Sequence, residues 1–488
     1  MTIDRNSPLP LYHQLKTLIL EQIEAGTWRP GERIPTEMEL CQSYGISRAP
    51  VRQALAELVG DDVIVRRPGR GTFVSERGAF QSAPEGRVLR VTSSDPSWQD
   101  VLGLVSGIWN ASQASQRITV ESTTVDHNTF YNSLTTAIGA GTAPDVAMVD
   151  CVWVPGLARA GFLFPLDEID PHFDQSGLAS RLYPAFAQAN SYDGHLYGLP
   201  AKADASLLWY RWDWFEQEDL EPPQDWDDLV SVSKYFSRRE VTRRYMISHP
   251  LALPGGRSAG EATVYNLMPF IWSAGGQLLH EGEIVLDSLE TRQALEFLRS
   301  LGVRGIIDPA EIVQYRWDTG PYMLAKGQVA MALGGSYQAE LILRMSSWRR
   351  DEFPARVGCV SLPAAPGMVP VSTIGGTSYV VLKQCEYADV VLDFLRLATE
   401  PRVIESLYRS ILLNLPYPSF LELLDPERDR LLVSAAHLIA AGRARPSLPG
   451  YFRVSRQLQV MFEDVISGED AIEDIIRRTA DFVGVLLE

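Results

Sequence analysis

Apolar positions near the start of the chain predict a short amphipathic helix. Residues three and four apart lie on the same face of a helix, so an apolar stripe with that spacing packs against a core. This stripe consists of Leu11, Leu15, Leu18, Ile19 and Ile23. Gly26 is expected to end the helix, and Pro30-Gly31 predicts a turn after it.

Two further helices are predicted on either side of a glycine turn. Thr36 followed three residues later by Glu39 is a capping-box pattern, which predicts a helix that runs to about Tyr44. Gly45 predicts a tight turn, and Ser47 is expected to cap a third helix. Two short helices joined by such a turn predict a helix-turn-helix.

A β-ribbon is expected directly after the third helix. The segments Val63–Arg67 and Thr72–Val74 have strand composition, and the glycine-rich segment Pro68–Gly71 joins them. Arg70 lies at the tip of this ribbon, where a side chain could reach into a groove of DNA. Three helices followed by a ribbon predict a winged helix.

Strand and helix patterns alternate in the following part of the chain. This order predicts a parallel sheet with helices on both faces, and ligands of such sheets bind at the carboxyl ends of the strands. The remaining 400 or so residues are many for one core, so two lobes are expected. The predicted segments are Val88–Thr92, Asp100–Gln113, Ile118–Thr124, Phe130–Gly139 and Asp145–Val149.

Charge is distributed unevenly along the 488 residues. Residues 1–78 contain ten basic and ten acidic residues, so the net charge of −17 arises after them. An acidic body repels nucleic acid, so any DNA contact must come from a local basic cluster. Such a cluster is formed by Arg48, Arg52, Arg66, Arg67 and Arg70.

Candidate chemistry beyond binding is sparse. The four cysteines form no CxxC pair, and the seven histidines are scattered, so we expect reduced thiols, no metal and no cofactor. The polar stretch Met1–Pro10 does not have the pattern of a signal peptide, and no segment has the length of a membrane span. We therefore expect a cytoplasmic protein without a membrane contact.

The first 75 residues resemble the GntR family of bacterial regulators. The matching segments are Leu9–Tyr12, Pro30–Glu37, Ile46–Leu55 and Gly69–Val74. One departure is Met38, where many relatives have an arginine. The resemblance implies a homodimer that binds an operator in double-stranded DNA through Arg33, Ser47, Arg48, Arg52, Arg70 and Gly71.

Most of residues 88–488 resemble family 1 extracellular solute-binding proteins, the sugar receptors of ABC importers. The resemblance rests on Gly141–Val146, Asp193–Pro200, Leu208–Arg211, Gly327–Met331 and Leu415-Pro416. It implies an α/β fold of the type II periplasmic-binding-protein kind, with two lobes and several crossovers. The implied ligand is a small molecule, a sugar or oligosaccharide, although this fold also takes other solutes such as glycerol phosphates and polyamines. The expected organisation is a winged helix at 1–76, a linker at 77–87 and a sensor at 88–488.

Sugar sites combine aromatic faces with hydrogen-bonding side chains, and such residues follow several predicted strands. Asp204 is expected in a loop and Gly376 in an exposed turn, and the loop positions of Trp153, Trp272 and Tyr337 favour ligand contact. The candidate ligand-binding residues are Asp95, Trp98, Asp150, Trp153, Asp204, Trp272, Tyr337 and Gly376.

Together these patterns favour a ligand-controlled transcription regulator that is not an enzyme. One alternative is a GntR-type fusion to an aminotransferase-like pyridoxal-phosphate domain, which requires a Schiff-base lysine. After Lys16 the chain offers only Lys202, Lys234, Lys326 and Lys383 for that role. A second alternative is a transport receptor. It conflicts with the predicted DNA-binding domain.

Overall fold

The protein is described by a computed structural model over residues 11–24, 27–29, 31–60, 63–67, 70–75, 87–95, 98–113, 116–173, 178–404 and 407–487. The chain divides into two compact units, Met1–Leu89 with Asp100–Val120, and Arg90–Gln99 with Glu121–Glu488. Apart from Arg87, the linker predicted at 77–87 lies outside the described residues, as do Gly26, Pro30, Pro68 and Gly69. Among the helices that are described, none combines the length and apolarity needed to cross a bilayer.

The first unit begins with three helices and a two-stranded hairpin. Their bounds are α1 (Leu11–Glu24), α2 (Glu37–Tyr44), α3 (Arg48–Gly60), β1 (Ile64–Arg67) and β2 (Gly71–Val74). The predicted apolar face of α1 is buried, and Leu15 and Ile19 share a core with Leu40 of α2 and Leu55 of α3. Such short helices are marginal alone in water, so this shared core stabilises them.

Local backbone interactions set the ends of α2 where the sequence predicts them. The Glu39 amide donates to the Thr36 hydroxyl at 3.3 Å, and the Thr36 amide donates to the Glu39 carboxylate at 2.7 Å. Gly45 follows the helix with a φ of 64°, a left-handed conformation that glycine adopts without strain. Strands β1 and β2 pair antiparallel, with Arg67 opposite Gly71. The winged-helix prediction is confirmed.

The rest of the chain contains many short elements. Its strands are β3 (Arg87–Ser93), β4 (Ile118–Thr124), β5 (Val146–Asp150), β6 (Ser191–Tyr192), β7 (His195–Leu196), β8 (Gly198–Tyr210), β9 (His249–Ala252), β10 (Leu279–His280), β11 (Glu283–Ile284), β12 (Val329–Gly335), β13 (Gly358–Val360), β14 (Thr373–Val381) and β15 (Arg443–Ala444). Its helices are α4 (Trp98–Ser112), α5 (His127–Gly139), α6 (Val154–Arg159), α7 (Leu166–Ile169), α8 (Leu178–Arg181), α9 (Pro184–Ala189), α10 (Trp212–Gln217), α11 (Trp226–Phe236), α12 (Arg239–Tyr245), α13 (Gly256–Ala259), α14 (Glu261–Ser273), α15 (Leu289–Val303), α16 (Pro309–Ile312), α17 (Thr319–Ala325), α18 (Ala339–Met345), α19 (Phe353–Arg356), α20 (Ala388–Ala398), α21 (Pro401–Ile404), α22 (Tyr408–Ile411), α23 (Arg430–Ala441), α24 (Tyr451–Ser467) and α25 (Ile472–Leu487). Short 3-10 helices cover Cys151–Trp153, Ser336–Gln338 and Pro418–Leu423.

Among the residues that the structure describes, nine strands form one mixed sheet. Its path is β4-β3-β5-β14-β8-β12-β9, with β13 beside β8 and β15 beside β14. The pairs β3–β5 and β9–β12 are parallel, but β14 and β8 run antiparallel to each other and to β5 and β12. The parallel pairing predicted from residues 88–149 is therefore confirmed for β3 and β5, whereas β8 and β14, which lie outside that segment, make the whole sheet mixed. Alternating strands and helices predict parallel pairing between strands that follow one another in the sequence. Strands β8 and β14 are neighbours in the sheet but lie far apart in the sequence, so the alternation does not predict their direction.

The 13-residue strand β8 connects two lobes. Its residues up to Ala205 pair with β14, and those from Ser206 pair with β12. We call the part around β5 lobe 1, whose core includes Val149 and Leu157, and the part around β12 lobe 2, whose cores include Phe270 and Leu324. The expected two-lobed α/β architecture is confirmed.

Candidate functional site

Exposed arginines of the first unit lie on helix α3 and on the hairpin. Arg48 and Arg52 are exposed near the start of α3, Arg66 is exposed on β1, and Arg70 is exposed at the turn. The Glu37 carboxylate accepts hydrogen bonds from Arg52 Nε at 3.0 Å and from Arg66 Nη2 at 3.3 Å. Exposed ion pairs of this kind are weak, so DNA phosphates could replace the carboxylate.

The remaining DNA-binding candidates lie beside these arginines. Gly71 has a φ of 115°, and a Cβ at this position would lie 2.7 Å from Arg33 Nε, so only glycine fits. Ser47 is exposed directly before α3. Met38 is 57% exposed, and Arg48 Nη2 lies 4.0 Å from its sulfur. The structure thus places the predicted residues on α3, its preceding turn and the hairpin, except Arg33, which precedes α2 and pairs with Phe73 of the hairpin.

A cavity of about 330 Å³ lies in the second unit, where β8 and β14 connect the lobes. Its volume is in the range of roughly 300–1,000 Å³ that is typical of small-molecule sites. Six of the eight predicted ligand residues line it: Asp95, Trp98, Asp150, Asp204, Tyr337 and Gly376.

Three of these six have a local structure other than the predicted one, and one of them is Tyr337, which lies in the 3-10 helix Ser336–Gln338 and not in a loop. Asp204 lies within β8 and Gly376 lies within β14, so neither is in a loop or an exposed turn. The two strands lie close together at Gly376, where an added Cβ would lie 2.1 Å from the Lys202 carbonyl oxygen. The cavity is therefore built on paired strands, which hold its polar groups more rigidly than loops would.

Trp153 and Trp272 are not among the described lining residues. Trp153 is 5% exposed and packs against the rings of His127 and Phe130, with the centroids 5.5 and 6.1 Å apart. Trp272 is 7% exposed near the end of α14, within the lobe 2 core, and the Arg443 guanidinium lies 4.9 Å from its ring centroid. Both loop assignments are wrong, because Trp153 ends a three-residue 3-10 helix and Trp272 lies in the 13-residue helix α14, and both rings are buried.

A buried guanidinium joins the two lobes at the cavity. Arg445 Nη1 donates to Glu261 of lobe 2 at 2.5 Å, and Nη2 donates to Asp150 of lobe 1 at 3.0 Å. Tyr451 and Ser455 also donate to the Glu261 carboxylate. Burial raises the pKa of Glu261, while the guanidinium opposes that shift. These contacts fix the relative position of three polar groups in the wall.

A second polar group surrounds Asp204. Its Oδ1 accepts a hydrogen bond from the Tyr265 hydroxyl at 2.5 Å. Lys202, two residues earlier on the same strand, lies 3.6 Å from the Asp95 carboxylate. Burial raises the pKa of the Asp204 carboxyl.

His127 also faces the cavity, and burial lowers the pKa of its imidazole. A neutral imidazole can both donate and accept a hydrogen bond. Aromatic rings of Trp98, Trp317 and Tyr337 form apolar parts of the wall. The site thus offers flat apolar faces and several hydrogen-bonding groups, which suits a small polar molecule with an apolar face. In the part of the chain that is described, no three His, Cys, Asp or Glu side chains are arranged to hold a metal ion.

Sequence reasoning missed several lining residues: His127, Lys202, Glu261, Tyr265, Trp317 and Arg445. Two of them had a usable signal. Lys202 is a charged residue in a strand whose residues are mostly buried, and Glu261 begins a helix in which every residue is buried. A charged group in such surroundings needs a partner or a function. Arg445 and Trp317 carry no comparable local signal.

Two family models match the chain. The model described as bacterial extracellular solute-binding protein matches residues 109–405, and the model of bacterial regulatory proteins of the gntR family matches residues 11–74. The histidine utilization repressor of Klebsiella aerogenes is 46% identical over 72 residues, which cover 15% of this chain and 30% of that protein. The chain therefore matches less than a third of the length of that relative.

Solved structures extend the comparison to the larger unit. An ABC transporter solute binding protein from Thermotoga lettingae TMO, bound with α-D-tagatose, has a TM-score of 0.72 and 24% identity. Maltose-bound MalE3 of T. maritima has a TM-score of 0.70 and 21% identity. Each covers 82% of this chain and 99% of the other, and identities this low establish the fold alone. The chain belongs to the bacterial extracellular solute-binding protein family and carries a gntR-family regulatory domain at residues 11–74.

Proposed function

We propose that this protein is a ligand-responsive transcription regulator that binds DNA through its winged helix. One observation carries the proposal: a single chain combines an arginine-bearing helix-turn-helix with a two-lobed body that encloses a polar cavity. Because the operator is bacterial DNA, the protein acts in the cytoplasm. It acts as a receptor and not as an enzyme.

The DNA-binding part uses helix α3 in the major groove and the hairpin beside it. Arg48 and Arg52 at the start of α3 suit guanine edges or phosphates, since guanidinium groups donate two parallel hydrogen bonds. Arg70 and Gly71 place the hairpin turn against the backbone. A homodimer would bind a near-palindromic operator whose half-sites match the spacing of its two α3 helices.

Sensing rests on closure of the lobes around a ligand. The lobes already touch beside the cavity, where Arg316 donates to Asp126 at 2.7 Å and Asn128 donates to the Ser258 carbonyl at 3.0 Å. A ligand that contacts both lobes favours this closed form, and it changes DNA binding only through its different affinity for the open and closed forms.

A carbohydrate is the ligand class that suits the wall best. The apolar face of a sugar ring packs on Trp98, Trp317 or Tyr337, and its hydroxyls find partners in Asp95, Asp150 and His127. Sugar ligands named for the structural neighbours, tagatose and maltose, agree with this class.

DNA binding is tested by fluorescence anisotropy with fragments from upstream of the gene, at several salt concentrations. We expect specific binding that weakens as salt rises, because phosphate contacts release counterions. Arg29→Ala is the control for arginine variants on α3, because Arg29 lies outside that helix. Failure to bind any native promoter fragment would refute the regulator proposal.

Ligand binding is tested by a thermal-shift screen over a carbohydrate library. A sugar present at a hundredfold its dissociation constant should add about 2.7 kcal/mol to the stability of the body. The same sugar should then change the anisotropy titration. A ligand that stabilises the protein but leaves operator affinity unchanged would contradict the coupling of the two functions.

A further inference from the structure

The wall of the cavity has an excess of negative charge. Six carboxylates line it, those of Asp95, Asp150, Asp204, Glu261, Asp318 and Glu340, against the basic groups of Lys202, Arg344 and Arg445. Two of the carboxylates have partners outside the lining, because Glu340 pairs with Arg350 at 2.8 Å and Asp318 lies 3.7 Å from Arg316. The other four carboxylates, those of Asp95, Asp150, Asp204 and Glu261, therefore determine the charge of the inner wall.

Three of these four carboxylates have cationic partners. Arg445 forms ion pairs with both Asp150 and Glu261, and its side chain is only 1% exposed. These two carboxylates therefore already neutralise its positive charge within the wall. Lys202 lies 3.6 Å from Asp95. The remaining lining cation, Arg344, is exposed. The inner wall thus offers little positive charge to an anionic ligand.

Asp204 is the fourth carboxylate and differs from the others. Among the described residues, no Lys, Arg or His nitrogen lies within the 4.0 Å of an ion pair with it, and its hydrogen-bond donor is the neutral Tyr265 hydroxyl. The residue is 7% exposed and opens onto the cavity. Burial has the largest effect on the pKa of this carboxyl and raises it, while Lys202 and Arg445 lower it from beyond ion-pair distance, so a charge without a direct ion pair is costly here.

Aromatic rings lie beside this carboxylate. Tyr265 donates to it, and Tyr337 packs edge-on against Tyr265 with a centroid separation of 6.1 Å. Trp317 lies 6.4 Å from Tyr337 by the same measure. The Arg445 guanidinium lies over the Tyr265 ring, 5.1 Å from its centroid, so Tyr337 and Trp317 are the rings left for an ammonium group that pairs with the carboxylate.

We propose that the ligand is a sugar or polyol with one protonated amine, and that this amine pairs with the Asp204 carboxylate. This inference rests on the ligand-sensing function proposed above. It also disfavours phosphorylated sugars, which would place a dianion among carboxylates whose cations are already paired.

Calorimetric titration of matched sugars tests the charge preference. Each set contains a neutral sugar, its 2-amino form, the N-acetylated form and the 6-phosphate, in the gluco, galacto and manno series. The amine should bind at least tenfold more tightly than its neutral and acetylated counterparts in one series, and the phosphates should not bind. Equal or tighter binding of the neutral sugars in every series overturns the inference but leaves the carbohydrate sensor intact.

A variant pair tests the role of Asp204 without depending on the choice of sugar. Asp204→Asn keeps an acceptor for Tyr265 and removes the unpaired charge, so the ligand-free protein should have a higher thermal midpoint at pH 7. Asp150→Asn is the matched control, because it removes a paired carboxylate and should lower the midpoint.

The sugar titration is also repeated with the Asp204→Asn variant. Asp204→Asn should reduce the preference for the amine to less than threefold. A lower midpoint for Asp204→Asn, or an unchanged amine preference, contradicts the assignment of this residue. If no sugar of any charge binds while operator DNA does, the carbohydrate part of the proposed function fails together with this inference, and the DNA-binding part stands.

Discussion

Replacing Arg445 by leucine is the most informative single perturbation of this structure. Its guanidinium donates to Glu261 of lobe 2 and to Asp150 of lobe 1, and leucine retains part of the side-chain volume without these contacts. The change leaves two carboxylates unpaired, with side-chain exposures of 8% and 14%. The Arg445→Leu variant therefore tests whether the stability of the two lobes depends on this ion-pair bridge.

The expected loss is large. Removing one partner of a buried ion pair destabilises proteins by about 3–5 kcal/mol, because the remaining charge is buried without compensation. Burial already raises the pKa of Glu261 in the intact protein, and without Arg445 this shift should grow. A carboxyl whose folded pKa is raised contributes stability below its unfolded pKa and loses that contribution as the pH rises through the folded pKa. The loss should thus be greater at pH 7 than at pH 4.5.

The assay is urea unfolding followed by tryptophan fluorescence. Arg443→Leu is the matched control, since Arg443 lies two residues earlier, is exposed, and contacts the Trp272 ring. That control should cost only about 0.5–1 kcal/mol. Adding Glu261→Gln to Arg445→Leu should recover part of the lost stability.

Two results would refute this reasoning. One is a loss for Arg445→Leu no greater than that for Arg443→Leu. The other is a loss that stays constant between pH 7 and pH 4.5, because unpaired buried carboxylates must become less costly when they are protonated.

Three further predictions concern other parts of the molecule. Arg52→Ala should weaken operator binding by about 1–3 kcal/mol if this side chain contacts a base, with sugar affinity unchanged, and equal weakening by Arg29→Ala would argue against a specific contact. Trp272→Ala should lower the free energy of unfolding by about 3–5 kcal/mol through loss of core packing, and a variant of normal stability that fails to bind ligand would contradict its placement in the core. A hydrogen bond to Asp167, with Nδ1 and Oδ2 2.7 Å apart, raises the pKa of His195, so its stabilising contribution is present below about pH 6.5 and is lost as the pH rises through the raised value. Titration by NMR should show this pKa fall toward its ordinary value in Asp167→Asn, and an unchanged value would exclude the Asp167 carboxylate as the main cause.

The sequence by itself determined the elements that depend on near neighbours. The Thr36–Glu39 capping box, the left-handed Gly45 and the hairpin whose second strand begins at Gly71 involve residues a few positions apart, so their spacing was sufficient to predict them. The two-lobed architecture followed from the family resemblance, because its motifs extend over most of the chain.

Only the tertiary structure decided which side chains meet in the cavity. Asp95, Asp204 and Arg445 come from distant parts of the sequence of the larger unit, and the sheet in which β8 pairs with β14 brings them together. Local patterns contain no information about such distant contacts. The same limit explains why Trp153 and Trp272 were predicted to contact a ligand. Residue type makes both rings candidates for sugar binding, but tertiary packing buries them in the cores.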